Sequence, residues 1–311
     1  MNAVPRNAYN GVTTLATVGG GALFEERPGP LDGTADQEIP GATVEALADW
    51  REQGKIAIWV DGRSIQHFDG NRMFPHQDFR QVTDRLTELA DALVLENGGM
   101  VWWNPQSPGA QAAQNAGGEW MQTASGMVVC EWLAPRMSDE HRAYFAQSDL
   151  YPNWGSGATY SAAQVDVPKG ASSREVDRLA IDLEAHINAD LKAKGLDTMY
   201  TTERHHENVM LEPIVKGVVI SKSTGLQHVA DRLGINLATQ AVGVTDTVED
   251  RFPDLCKIAV APAGSSLARE WALGQGASNK LKAISWNGAG AVIPEVMGNV
   301  MGTPGMEQPG L

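Results

Sequence analysis

Cysteine is almost missing from this chain. Cys130 and Cys256 are the only two in 311 residues, they lie far apart, and neither sits in a metal-ligand spacing. No disulfide framework is expected, and the two thiols read as small buried residues of a reducing compartment. Long apolar runs are missing as well. None approaches the roughly 20 residues that a membrane span needs, so no membrane partner is expected, and Met1–Arg6 leads into no continuous apolar core of the signal-peptide kind, which predicts a cytoplasmic protein. Clusters of Lys and Arg are the third absence. With a formal net charge of −14 and no local patch to offset it, the chain would be repelled by phosphate backbones, and nucleic acid is not expected as a partner. No internal repeat is visible.

What is present is enough chain for one large or two moderate domains with a sizeable core. Of nine tryptophans, Trp102, Trp103, Trp120 and Trp132 fall close together, as packing residues or as walls of a cleft. The first third alternates. Val12–Val18 is β-branched and apolar and runs into Gly19, Gly20 and Gly21, which let the backbone turn sharply or approach a ligand closely. Glu25 to Pro40, rich in Pro, Gly and Asp, reads as a loop. A helix from Thr43 to Gln53 leads to an apolar strand, Lys55–Val60, that stops at Asp61-Gly-Arg63-Ser64. An amphipathic segment, Asp78 to Ala90, then leads to a third strand, Ala92–Leu95, closed by Glu96-Asn97-Gly98-Gly99. Strand and helix in alternation with short connections predict a parallel sheet covered on both faces.

From Met100 the alternation is lost. Met100–Trp103 reads as a strand, Asn104 to Gly118 as a loop, and Trp120 to Leu133 as β-prone. Ser172 to Lys194 is the clearest helix, with Ser172 or Ser173 as its cap, Glu175 in its first turn, and an apolar stripe that includes Leu179, Leu183, His186 and Ile187. Alternation resumes with a helix from Ser223 to Leu233, a strand at Ala241–Val244, a strand at Ile258–Val260 and a helix at Ser265–Ala272. The expected organisation is an α/β fold: a Rossmann-like parallel-sheet core, discontinuous over 1–99 and 208–285, an inserted α+β cap domain over 100–207, and a Gly- and Pro-rich carboxyl-terminal tail over 286–311, poorly ordered or packed on a partner.

The apolar strand Ala241–Val244 delivers Thr245 and then Asp246-Thr-Val-Glu-Asp250. Two carboxylates four residues apart at the end of a buried strand suit a hard cation such as Mg²⁺, although an Asp at a strand end also serves as a turn former or helix cap.

In order and spacing, four stretches together resemble the haloacid dehalogenase superfamily: Asp61-Gly-Arg-Ser64 after a buried strand, Ala92-Leu-Val-Leu-Glu-Asn-Gly-Gly99, Ser221-Lys-Ser-Thr-Gly-Leu226 opening a helix, and Thr245-Asp-Thr-Val-Glu-Asp250. The nearest subgroup is that of the Cof-type and sugar-phosphate phosphatases, which carry a large α/β cap. The resemblance spans about 12 to 272. It implies that Lys222 would hold an anionic phosphate, that Asp246 and Asp250 would complete a Mg²⁺ site, and that Arg63 and Ser64 flank the position whose hydroxyl binds the transferring phosphoryl group, a position held here by Asp61. Glu96-Asn97 resembles the cap hinge, and Gly19–Gly21 with Arg63, Ser64 and Asn97 would line the ligand site.

The chain departs from that pattern in its first motif. The family delivers two aspartates from the end of its first strand, a nucleophile and an acid/base. Val18 and Gly20 stand in their places, which removes a phosphoaspartyl intermediate and protonation of the leaving group. Leu31-Asp-Gly-Thr34 offers no substitute, since no strand precedes it. Three readings follow: a fold kept for binding a small anionic or phosphorylated ligand at a core–cap cleft; an enzyme with altered chemistry using Asp61, Lys222, Asp246 and Asp250 in the same cleft; or an ordinary phosphatase with a different register of the first strand. A homo-oligomer is compatible with each. His205-His206-Glu207 reads as a surface turn rather than a metal site.

Overall fold

The structure is a computed structural model, and it describes residues 6–18, 25–28, 35–62, 86–123, 126–136, 158–162, 164–166, 170–193, 195, 199–204, 208–247, 250–273, 281–285 and 292–301. In chain order the elements are β1 (Thr14–Val18), β2 (Glu25–Pro28), β3 (Ala35–Glu38), α1 (Gly41–Glu52), β4 (Ile56–Val60), α2 (Leu86–Leu89), β5 (Ala92–Leu95), β6 (Met100–Trp103), α3 (Pro108–Asn115), β7 (Glu119–Thr123), β8 (Gly126–Trp132), β9 (Gln164–Asp166) and α4 (Ser173–Ala193). There follow β10 (Met199–Arg204), β11 (Asn208–Val215), β12 (Val218–Val219), α5 (Lys222–Leu233), α6 (Leu237–Gln240), β13 (Ala241–Val244), β14 (Ile258–Pro262), α7 (Ser266–Ala272), β15 (Leu281–Ser285) and α8 (Val292–Met301).

Nine strands form the main sheet in the order β15-β14-β13-β1-β4-β5-β6-β8-β7. From β15 to β5 all neighbours are parallel, and β6, β8 and β7 extend the sheet antiparallel. Four of the parallel strands are apolar because both of their faces are covered: β4, β5, β13 and β14 are buried over nearly every residue, as their Val, Ile, Leu and Ala runs predict. Strand order reverses at β1. One neighbour, β4, leads outward to β5, and the other, β13, leads outward to β14 and β15. The carboxyl ends beside such a reversal are where open α/β sheets bind ligands.

The second sheet is smaller, with β11 at its centre paired antiparallel to β10, β9 and β12. Helix α4 packs on it around a separate cluster of Ala180, Leu183, Ile187, Leu191, Tyr200, Val209, Leu211 and Tyr160. The Ser172 cap holds, with its hydroxyl and backbone N–H donating to Glu175 at 2.6 and 2.7 Å. His186 is exposed and not part of the buried stripe.

Five expectations from the sequence differ from this arrangement. Residues 100–132, expected in the inserted block, belong to the main sheet, because β6 folds straight back on β5 and β8 follows it. Asn208–Val215, expected in the core, pairs within the small sheet. Pro108–Asn115 is a helix, not loop: Ser107 accepts from the Gly109 N–H and Pro108 opens the first turn, a start signal overridden by the many small polar residues around it. Finally, 292–301 is no loose tail but a helix whose Val292, Ile293, Val296 and Met297 are buried in the main core. Glu25–Pro28 and Ala35–Glu38, within the expected loop, pair as a two-stranded ribbon too charged to show a strand pattern.

Candidate functional site

Strand β1 ends level with β4, Val18 standing opposite Val60, so Asp61 is the next residue out on that neighbour. On the other side Thr17 stands opposite Val244, and Thr245 and Asp246 come next. Three strand ends thus deliver polar residues to one edge of the sheet. Asp61 and Asp250 are 4% and 5% exposed. A buried carboxylate is costly unless it is paired, and for Asp250 the pairing is complete: Lys222 Nζ donates to Oδ1 at 2.5 Å and the Thr245 hydroxyl donates to Oδ2 at 2.7 Å. The Asp246 backbone carbonyl accepts from the Ser266 hydroxyl at 3.1 Å, which ties this loop to α7.

Lys222 is the first residue of α5. The helix begins there because Ser221 and Thr224 cap each other, the Ser221 N–H donating to the Thr224 hydroxyl at 2.7 Å and the Ser221 hydroxyl accepting from the Thr224 N–H at 3.4 Å. Burial works to lower the Lys222 pKa, but the charge and hydrogen bond of Asp250, then the charges of Asp61 and Asp246, raise it above the ordinary lysine value. The ammonium is therefore held charged, bonded to Asp250 and in the field of Asp61 and Asp246.

The start of α5 is pressed against the loop after β5. There Glu96 and Asn97 both have φ of +51°, a left-handed conformation that costs a non-glycine residue about 1–2 kcal/mol. Gly98 also has positive φ, and a Cβ on it would lie 1.9 Å from the Ser221 carbonyl oxygen, so only glycine fits. Glu96 is fully buried. Its carboxylate accepts from the Ala158 and Thr159 N–H groups, each at 2.8 Å, and from the Thr159 hydroxyl at 2.5 Å. Asn97 donates to the Ser161 carbonyl at 3.3 Å and its N–H donates to the Asp61 carbonyl at 3.3 Å. This loop joins Asp61, the α5 start and the 158–161 segment.

Of the residues singled out from sequence, Asp61, Asn97, Lys222, Asp246 and Asp250 come together here. Gly19, Gly20, Gly21, Arg63 and Ser64 lie outside the described residues, as do His205–Glu207. Sequence reasoning missed the role of Thr245, whose signal was its place between strand and Asp246. It also missed a second charged cluster at the far end of α5. Glu131 accepts from Trp103 Nε1 at 2.8 Å and from Arg232 at 2.8 and 3.2 Å, and it meets His228 Nε2 at 3.1 Å. No local pattern announces it, since Trp103 is 28 residues away in the chain and His228 and Arg232 are 97 and 101.

As it is arranged, Asp250 is already paired with a cation: Lys222 holds one oxygen and the Thr245 hydroxyl the other, so a Mg²⁺ ion, which needs a near-octahedral array of oxygens, would have to share this carboxylate with an ammonium. Among the described residues no group of three His, Cys, Asp or Glu side chains is placed to hold a metal ion. Nor, among them, is any helix long and apolar enough to cross a membrane.

No protein-family model matches the chain, and no curated protein matches it in sequence. Solved structures do. One from Thermoplasma acidophilum has a TM-score of 0.50 at 10% identity, covering 93% of this chain and 98% of that one. A haloacid dehalogenase-like hydrolase from Bacteroides thetaiotaomicron has a TM-score of 0.50 at 12% identity, covering 93% and 99%. The sucrose-phosphatase of Synechocystis, solved with sucrose and phosphate, has a TM-score of 0.48 at 9% identity, covering 94% and 98%. At these identities the likeness is one of fold: the chain has the Rossmann-like fold of the haloacid dehalogenase-like hydrolases.

Proposed function

We propose that this protein keeps a haloacid dehalogenase-type fold for binding rather than for phosphoryl transfer, and that its ligand is small and anionic or phosphorylated. One observation carries the reading: the Asp250 carboxylate is paired from within the protein with the Lys222 ammonium, its other oxygen taking the Thr245 hydroxyl. In a Mg²⁺-dependent phosphatase it would face the metal. The sequence supports the same reading, since Val18 and Gly20 stand where two aspartates would act, and Asp61 sets negative charge where a hydroxyl would meet phosphate. Lys222, held charged, is the group for which an anion would compete with Asp250, in a cleft between the main sheet and an inserted cap formed around β9–β11 and α4.

The test is a panel of phosphate esters with Mg²⁺, run beside calorimetric titration of inorganic phosphate and sugar phosphates. No turnover is expected. Binding should be lost in Lys222→Met and retained in Asp246→Asn, and Mg²⁺-dependent hydrolysis by the unaltered chain would sink the reading. Combining Val18→Asp, Gly20→Asp and Asp61→Thr should restore some hydrolysis; a folded but inert triple variant would place the first two motifs in the wrong register.

A second reading rests on the reach of Asp61 and Asp246 to the Lys222 charge: an enzyme with altered chemistry, in which a carboxylate beside a charged lysine serves as acid or base. It requires that Asp61→Asn and Asp246→Asn each abolish whatever turnover is found.

A further inference from the structure

Strand β7 is one end of the main sheet, and among the described residues no strand pairs with its outer edge. Edge strands are normally protected by Lys, Pro, a bulge or a covering element. This one has none of the first three: its sequence is Glu119-Trp-Met-Gln-Thr123, and its pairing to β8 runs unbroken from Glu119↔Cys130 to Thr123↔Gly126. Instead of charge it presents apolar surface. Trp120 and Met127 are 45% and 46% exposed. Because Trp120 stands opposite Val129 and Gln122 opposite Met127, Trp120, Gln122 and Met127 share one face, with Trp120 diagonal to Met127.

We propose that this edge pairs with the same edge of a second copy, extending the sheet across a two-fold axis through Met121. Charge is the argument for a second copy. At a net charge of −14, self-association is opposed over the surface at large, yet β7 carries a single charge. That charge, Glu119, is already met by Arg136 at 3.0 Å, with Arg136 lying 4.5 Å over the Trp132 ring. An antiparallel two-fold register about Met121 sets Glu119 against Thr123 and Trp120 against Gln122, so no like charges face each other. Each copy covers the other's Trp120, and an isologous contact closes at two copies.

The register makes the test specific. Sedimentation of the full chain from about 1 to about 100 µM should show a monomer–dimer equilibrium. Trp120→Lys with Gln122→Lys sets two like-charged pairs across the axis and should weaken the dimer about 100-fold or more. Trp120→Lys with Gln122→Glu sets opposite charges in the same places and should recover it to within about tenfold of the original. Both positions are exposed, so the far-UV circular dichroism of the folded chain should be unchanged. In the unaltered chain, amide exchange over 119–123 should slow as concentration rises. A monomer throughout the range, a dimer indifferent to the two lysines, or a charge-paired variant no tighter than the doubly lysine one would each overturn the proposal.

Discussion

Helix α5 answers a buried carboxylate at each end, and it does so in two ways. At its far end Glu131 is surrounded: Arg232 and His228 from the helix and Trp103 from β6 take its two oxygens. Burial alone would raise the Glu131 pKa. Hydrogen bonds from His228, Arg232 and Trp103, with the charge of His228, outweigh it and take the carboxyl down to about 2. At the near end the ratio is inverted, with one ammonium, Lys222, in the field of Asp250, Asp61 and Asp246. A carboxylate with more partners than it needs is a fastening. An ammonium bonded to one carboxylate at the strand ends is a candidate site, because it is the group there for which a small anion can compete.

The comparison breaks most completely at Gly98. Its backbone lies so close to the Ser221 carbonyl that a Cβ would sit 1.9 Å from that oxygen, and its φ of +92° is one that L side chains rarely adopt. Gly98→Ala must push the start of α5 away from the β5 loop, and a loss of about 3 kcal/mol or more is expected in urea denaturation. The sharper outcome is regional. Amide exchange should quicken around Lys222 and Asn97 while the last turns of α5, held by Glu131, stay protected; uniform quickening along the helix would show that the two ends are not independent.

Glu131→Ala attacks the other end. It strands the buried Trp103 N–H and leaves Arg232 and His228, both partly exposed, without their partner, which is expected to cost about 2–3 kcal/mol, less than for a fully buried pair because both can turn to water. Glu131→Gln keeps an acceptor for Trp103 and should cost less. Phosphate binding at Lys222 should survive both changes if the far end is only a fastening.

What could be read from the sequence follows the range of the interactions. Strands β4, β5 and β13 and helix α5 carry their own signals, apolar runs and a capped amphipathic helix, and so do the carboxylates that end the strands. The pairing of Asp250 with Lys222 joins residues 28 apart and was not anticipated, since the resemblance implied a phosphate for Lys222 and a metal ion for Asp250. Glu131 is 97 and 101 residues from His228 and Arg232, and its segment read as β-prone with no sign that it would complete the main sheet. Helix α8 was hidden for another reason: Gly and Pro on either side of Val292–Met301 made a buried helix look like a tail. Helix and strand periodicity is local, whereas sheet order and ion pairing are settled by contacts across the chain.

Acid should separate the two ends without mutation. The Glu131 carboxyl titrates from the usual 4.5 in the unfolded chain to about 2 in the folded protein. A depressed carboxyl contributes stability that is fully present above its unfolded value and is lost as pH falls through its folded one. The Glu131 contribution, at most about 3 kcal/mol, should therefore fade between about pH 4.5 and about pH 2. Urea midpoints measured across that window should fall less steeply in Glu131→Gln, and an equal slope would show that Glu131 is not held by its partners. Lys222 has the opposite sign. Its raised pKa gives stability that is present below the ordinary lysine value and lost only as pH climbs past it, so the Lys222 ammonium itself does not titrate in the acid window.

The smallest effect expected is at the cap. Ser221→Ala removes the hydroxyl that accepts from the Thr224 N–H, and loss of such a cap costs about 1 kcal/mol. Its value lies in where that energy goes. Frayed by one turn, α5 would let Lys222 swing from Asp250, whereas the contacts of Glu131 begin almost two turns further along and should not feel it. A fall in midpoint of that size, with weaker phosphate binding and an unchanged acid slope between about pH 4.5 and about pH 2, would confirm that the helix carries two separable charge clusters. If the acid slope changed as well, the far cluster would depend on the near one, and Lys222 would be part of one continuous fastening rather than the centre of a site.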